Sequence, residues 1–207
     1  MQYYFIGGLG GNSYHLAPLM DELGFPVTFL DPYREMIQTE NDLRDWFQSR
    51  FGQAEEICLL GHSLGGDLAR YLASEFPQIR ALILLDGGYL DMEKILPLEE
   101  ELEGTASFMQ QQVFATLEEA VLSELGDGAD PTPIARKAVE ASYRWNPVSE
   151  QYELNLDLEK VLALLRLRRK IKTYQIPLSD QSVLFIGPRY QEEPEWRKAA
   201  LNQLDPK

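Results

Sequence analysis

Between Tyr3 and Leu85, short apolar runs alternate with stretches of helical periodicity, and this alternation restricts the chain more than any other feature. Tyr3–Ile6, Val27–Leu30, Ile57–Leu60 and Ala81–Leu85 are apolar runs of strand length. Between the first two, Leu16, Leu19, Met20 and Leu23 fall at helical spacing, and Gly24 supplies a stop. Leu43, Trp46, Phe47 and Phe51 form one helical face after Thr39 and Asp42, which are spaced as a capping box. Leu64–Phe76 reads as a further helix. Continuously apolar strands, each followed by a helix, predict a parallel sheet covered on both faces.

From Asp91 to Asn146 the pattern changes to helices alone. Glu99-Glu100-Glu101-Leu102-Glu103 reads as a solvated helical face, and Thr132-Pro133 as a helix start. Such an insertion between sheet strands predicts a helical lid over residues 91–146, set within a single domain spanning 1–207. Asp157 then caps an amphipathic helix carrying Leu158, Val161, Leu162 and Leu165. The basic cluster Arg166–Lys172 falls where cations offset a helix macrodipole. Val183–Ile186 is a fifth strand and Glu195–Leu204 a closing helix.

The segment richest in chemistry is Gly61-His62-Ser63-Leu64-Gly65-Gly66, a Gly-x-Ser-x-Gly motif set directly between a buried strand and a helix. The serine needs a tight turn that lifts its hydroxyl above the sheet. Gly61 and Gly65 remove side chains that would collide as strand and helix converge, and the helix N-terminus places positive partial charge near Ser63. This segment resembles the nucleophile elbow of the α/β-hydrolase superfamily, in its esterase, lipase and thioesterase-like branches. Ile6-Gly7-Gly8-Leu9-Gly10-Gly11-Asn12 is similar to that family's His-Gly-Leu-Gly-Gly oxyanion loop, with Gly7 in place of the histidine. The resemblance implies a three-layer, mostly parallel sheet with a lid. It also implies Ser63 as nucleophile and the Leu9 and Leu64 amides as an oxyanion hole.

The partners of the serine depart from the family. Acyl transfer needs a base oriented by a carboxylate, in the order serine, acid, histidine, and neither of the chain's 2 histidines follows Ser63. His62 should point away from the hydroxyl and serve packing or a local hydrogen bond. His15 reads as a helix-terminal residue, with the pocket mouth as the alternative. Asp86, in Leu85-Asp86-Gly87-Gly88-Tyr89, is favoured as the acid, and a loop-capping aspartate is its other reading. The family's more usual place falls after the fifth strand, at Gly187-Pro188-Arg189-Tyr190, where Glu192 and Glu193 are the alternatives. The ending Asp205-Pro206-Lys207 comes where such a hydrolase continues into a last strand and histidine loop, implying a chain shortened there. The edge of the fifth strand would then be open, which predicts a homodimer.

The function implied is hydrolysis of an ester or thioester of a small apolar acyl group, with no cofactor. The alternative is a non-catalytic relative that binds a small ligand or a protein partner. Phe108, Phe114, Tyr143 and Trp145 either line an acyl pocket or pack the lid. A formal charge of −14 argues against nucleic acid. The longest apolar runs are too short to span a bilayer, and the start lacks a basic leader, so a cytoplasmic location is the expectation. The single cysteine, Cys58, excludes an internal disulfide or a multi-cysteine metal site, and no histidine–carboxylate cluster has metal-ligand spacing.

Overall fold

In the computed structural model, which describes residues 1–52, 54–126, 131–178, 181–187 and 195–201, the alternation becomes real elements. In chain order they are β1 (Gln2–Ile6), α1 (Ser13–Leu23), β2 (Thr28–Leu30), α2 (Glu40–Phe51), β3 (Ile57–His62), α3 (Leu64–Glu75) and β4 (Ile79–Leu85). Local chemistry sets their ends. Asn12 Oδ1 accepts from the Tyr14 N–H at the start of α1, and Gly24, at φ 68°, closes it. The capping box at α2 is present: the Asp42 N–H donates to Thr39 Oγ1 at 3.1 Å and the Thr39 N–H to Asp42 Oδ2 at 2.9 Å. Such a cap contributes about 1 kcal/mol.

Next come α4 (Leu98–Gln111), β5 (Val113–Phe114), α5 (Leu117–Leu125), α6 (Pro133–Ser142), β6 (Tyr143–Asn146) and β7 (Gln151–Leu154). The chain closes with α7 (Leu158–Ile171), β8 (Ser182–Ile186) and α8 (Glu195–Leu201). The stretch after Asp91 is therefore not helices alone. β5, β7 and β6 form an antiparallel sheet in that order, and its hairpin runs past Asn146 to Leu154. Cross-strand pairs hold it: Arg144 meets Glu153 at 3.0 Å, and the Trp145 and Tyr152 rings lie 5.1 Å apart. Each four-residue strand is too short to declare itself before its partner is in place.

The main sheet has the order β2-β1-β3-β4-β8, and every neighbouring pair is parallel. Alternate residues face opposite layers. Tyr4, Ile6, Leu59, Leu82 and Leu84 pack with α2, α3 and α7, whereas Phe5, Cys58 and Leu60 pack with Leu16, Met20 and Leu23 of α1. Burial raises the pKa of the Cys58 thiol. The register sets Ile6 beside Gly61, His62 beside Leu85, and Leu85 beside Ile186. The residues that follow β1, β3, β4 and β8 consequently leave the sheet along one edge. Among the described residues, no helix is long and apolar enough to cross a membrane.

Two charged segments behave differently from their sequence readings. Glu101 does not belong to a solvated face, and Arg168 and Arg169, although in the last turn of α7 as expected, are buried there. Their side chains are only 11%, 10% and 5% exposed, because α4 docks on α7 and turns all three into one ionic cluster. Glu101 accepts from Arg168 and, at 2.6 and 2.8 Å, from Arg169. Arg169 also donates to the Leu96 carbonyl at 2.7 Å. Removing one partner from such a cluster strands a buried charge. Glu101→Ala should lower the unfolding free energy by about 3–5 kcal/mol in urea titrations; a loss near zero would show that the cluster is solvated.

Candidate active site

Where β3 turns into α3, Ser63 adopts φ 52° and ψ −124°, a conformation that costs a non-glycine residue about 1–3 kcal/mol. The surroundings enforce it. A Cβ on Gly61 would lie 2.6 Å from the Gly65 carbonyl oxygen. One on Gly65 would collide with the Ile6 carbonyl and lie 2.5 Å from that of Gly7. The Ser63 N–H donates to the Leu85 carbonyl at 3.0 Å, and its own carbonyl accepts from the Gly66 N–H at 2.8 Å. The side chain of Ser63 is exposed and makes no hydrogen bond among the described residues.

The glycine loop after β1 lies against this turn. A Cβ on Gly8 would sit 3.1 Å from Ser63 Cβ and 3.0 Å from His62 Nδ1. The loop turns back through a Gly11 N–H to Gly8 carbonyl bond of 2.9 Å. Asn12 Nδ2 anchors it to α6 through the Ala138 carbonyl at 2.8 Å and Ser142 Oγ at 3.0 Å. The backbone amides of Leu9 and Leu64, the two sequence candidates for anion donors, make no hydrogen bond among the described residues.

Asp86 follows β4 directly, at φ 48°, with its N–H bonded to the Ile186 carbonyl at 2.9 Å. The next residue, Gly87, passes so close to the Ser63 backbone that a Cβ there would collide with the Ser63 carbonyl. The Asp86 carboxylate accepts from Tyr89 Oη at 3.0 Å and pairs with Arg197 of α8 at 2.9 Å. Arg197 is 1% exposed, and Gly187 leaves the space its guanidinium fills. Glu192 and Glu193, the alternative acids, lie outside the described residues.

Each histidine is placed by its own neighbours. His15 Nδ1 accepts the Asn12 N–H at 3.1 Å, completing the capping box of α1. Desolvation lowers its pKa, and the charge of Glu124 opposes that shift. His62 is exposed beside Gly8. Neither ring hydrogen-bonds Ser63. Of the expected pocket aromatics, Phe108 lines a groove of about 260 Å³ with Leu9, Leu96, Glu100, Glu101, Gly104 and Thr105. Phe114 and Tyr143 pack edge to face within the small sheet, and Trp145 packs on Tyr152.

Sequence reasoning missed Asp67 and Arg197. Asp67 is buried in α3, one turn after Ser63, where it accepts from Thr173 Oγ1 at 3.1 Å and faces Arg168 at 3.7 Å. A signal existed, since Leu64, Asp67, Leu68 and Tyr71 share the i, i+3, i+4, i+7 stripe that elsewhere is apolar. For Arg197, in Glu195-Trp196-Arg197-Lys198, no local pattern distinguishes it from a surface cation. Burial pushes the Asp67 carboxyl up to about 6, against the opposing pull of Arg168 and Thr173.

Once this geometry is compared with known proteins, the family described as alpha/beta hydrolase fold matches residues 33–161. Among solved structures, an E-2-(acetamidomethylene)succinate hydrolase superposes with a TM-score of 0.60, at 18% identity, over 90% of this chain and 82% of its own. The thioesterase domain of the curacin biosynthetic pathway gives 0.57 at 15% identity, over 90% and 84%. An esterase of a marine microorganism gives 0.55 at 14% identity, over 90% and 87%. No curated protein sequence matches the chain.

Asp67 also carries a pH dependence. Folded, it keeps its proton up to about pH 6, whereas the ordinary carboxyl value is 3.8. The native state therefore binds more protons between these values, and stability must fall as pH rises through that window, then level off. The stability difference between wild type and Asp67→Asn should shrink by about 2–3 kcal/mol from pH 4 to 6.5 in urea unfolding. A flat difference would place the carboxylate in water.

Proposed function

Since the chain belongs to the α/β-hydrolase fold family, we propose that it hydrolyses carboxylic esters or thioesters of small apolar acyl groups through a Ser63 acyl-enzyme. The observation that carries this reading is the strained, exposed serine next to the Leu9 and Leu64 segments, whose amides have no hydrogen-bond partner among the described residues. Ser63 Oγ bonds to the acyl carbonyl carbon, and the Leu9 and Leu64 N–H groups take the oxyanion. Collapse of that intermediate breaks the bond to the alcohol or thiol, which leaves with a proton. Water then adds to the acyl carbon and releases the acid, returning the proton to Ser63. Asp86 is the acid of the site, held by Tyr89 and Arg197. Residues 91–146 act as a lid over the cleft of a single 1–207 domain.

With no imidazole on Ser63 among the described residues, the serine proton leaves to solvent. Turnover is therefore impaired, since a positioned general base contributes about 10²–10⁴-fold. Oxyanion stabilisation and binding alone still leave roughly 10³–10⁴-fold over water. One observation favours a second reading. The Asp86 carboxylate is engaged by Arg197 rather than by a base, as suits a non-catalytic relative that binds a ligand or a protein.

A fluorophosphonate probe separates the two. Labelling that is lost in Ser63→Ala is the expected result, and an intact, folded chain that stays unlabelled would overturn the hydrolase reading. The reading also includes a homodimer through β8, the last strand of the main sheet, whose Val183, Leu184 and Ile186 are 45%, 53% and 49% exposed. Light scattering should give a dimer mass that Leu184→Lys reduces to a monomer. Monomeric wild type at high concentration would count against it.

A further inference from the structure

We propose that Gly104 determines acyl-chain length: the groove between Leu9 and α4 takes an uncharged acyl chain longer than acetyl, and Gly104 keeps it open. This rests on the reading of Ser63 as nucleophile and extends it to the shape and charge of the substrate.

The argument begins with a glycine that the fold does not require. Gly104 sits in the middle of α4, where glycine is the poorest helix former after proline. Its φ is not positive, and a Cβ built on it would meet no atom within 4 Å. Neither backbone conformation nor packing therefore excludes a side chain. Gly104 does line the groove of about 260 Å³ together with Leu9 and Leu96, and with Phe108 one turn further along the same face of α4. Any larger residue would extend into space that the groove otherwise offers.

The groove is joined to the serine by Leu9, whose side chain forms part of its wall and whose amide is the proposed anion donor. An acyl chain whose carbonyl oxygen rests on that amide has this groove beside it. Its volume leaves room for an acyl chain longer than acetyl. Charge narrows the class further. Glu101 is neutralised by Arg168 and Arg169, but exposed Glu100 leaves a carboxylate at the rim. Acyl chains that end in a carboxylate are repelled there, and uncharged chains are not.

The test compares kcat/KM for p-nitrophenyl acetate and p-nitrophenyl octanoate in wild type, Gly104→Ala and Gly104→Leu, with Tm measured for each. Alongside it, methyl octanoate is titrated calorimetrically onto Ser63→Ala with and without Gly104→Leu. The octanoate-to-acetate ratio and the methyl octanoate affinity should each fall at least tenfold with Gly104→Leu, since each buried methylene is worth about fourfold. Gly104→Ala should raise Tm by improving the helix. Ser63-dependent hydrolysis with no change in the ratio or in methyl octanoate affinity would overturn the assignment, as would a lower Tm in Gly104→Ala. If neither ester is hydrolysed yet Gly104→Leu still weakens methyl octanoate binding, the groove stands and the hydrolase reading falls. Should Gly104→Leu fail to fold, Phe108→Ala removes another apolar lining residue of the groove and must weaken methyl octanoate binding for the groove to stand.

Discussion

Backbone must pass backbone where β3 becomes α3, and the rest of the site depends on that steric condition. Gly61 and Gly65 leave no Cβ at the point of closest approach, so the helix starts almost on top of the strand it follows. Ser63 is left between them in a conformation it would not choose, its hydroxyl outward and its carbonyl tied back into the first turn. The glycine loop after β1 and Gly87 after β4 then close in from either side, because the same absence of side chains lets them. Parallel register brings these segments to a common edge, and the glycines decide how tightly they meet there.

Behind that edge, the molecule is held by charges placed where water is scarce. Asp67 on the elbow helix, Arg168 and Arg169 on α7, and Glu101 on α4 form a connected cluster. Buried ions repay their desolvation only when each is well paired, so the cluster is better understood as a constraint on register than as a large source of stability. It fixes how α4 lies against α7 and α3, and thereby where the groove lies relative to the serine. Burial raises the pKa of one of its members, Asp67, to about 6, which makes this connection one pH-sensitive part of the fold.

The acidic corner has a comparable logic. Asp86 leaves β4 in a left-handed conformation, and a buried guanidinium from the far end of the chain meets its carboxylate. The Arg197 guanidinium also lies 5.9 Å from the centre of the Tyr89 ring, and Tyr89 packs edge to face on Phe185 of β8. α8 is thus joined to the end of the sheet through the same residue that the sequence marks as the candidate acid.

What the sequence determined by itself was whatever repeats or collides locally. Apolar runs with the periods of strands and helices dictated the parallel sheet and the covered faces of its central strands, whereas β8 stays exposed. Gly61, Ser63 and Gly65 dictated the turn, because a side chain on either glycine would collide where the buried strand passes into the helix. Tertiary structure decided everything that depends on a distant partner. The hairpin of β6 and β7 appears only when Arg144 and Trp145 find Glu153 and Tyr152. Glu101, Arg168 and Arg169 look like solvated charges until α4 docks on α7 and excludes water from them. Arg197 becomes the partner of Asp86 through a contact 111 positions apart in the chain, where no local period operates. Short-range sterics are written in neighbouring residues, whereas the pairing of buried charges is settled only by which surfaces the folded chain brings together.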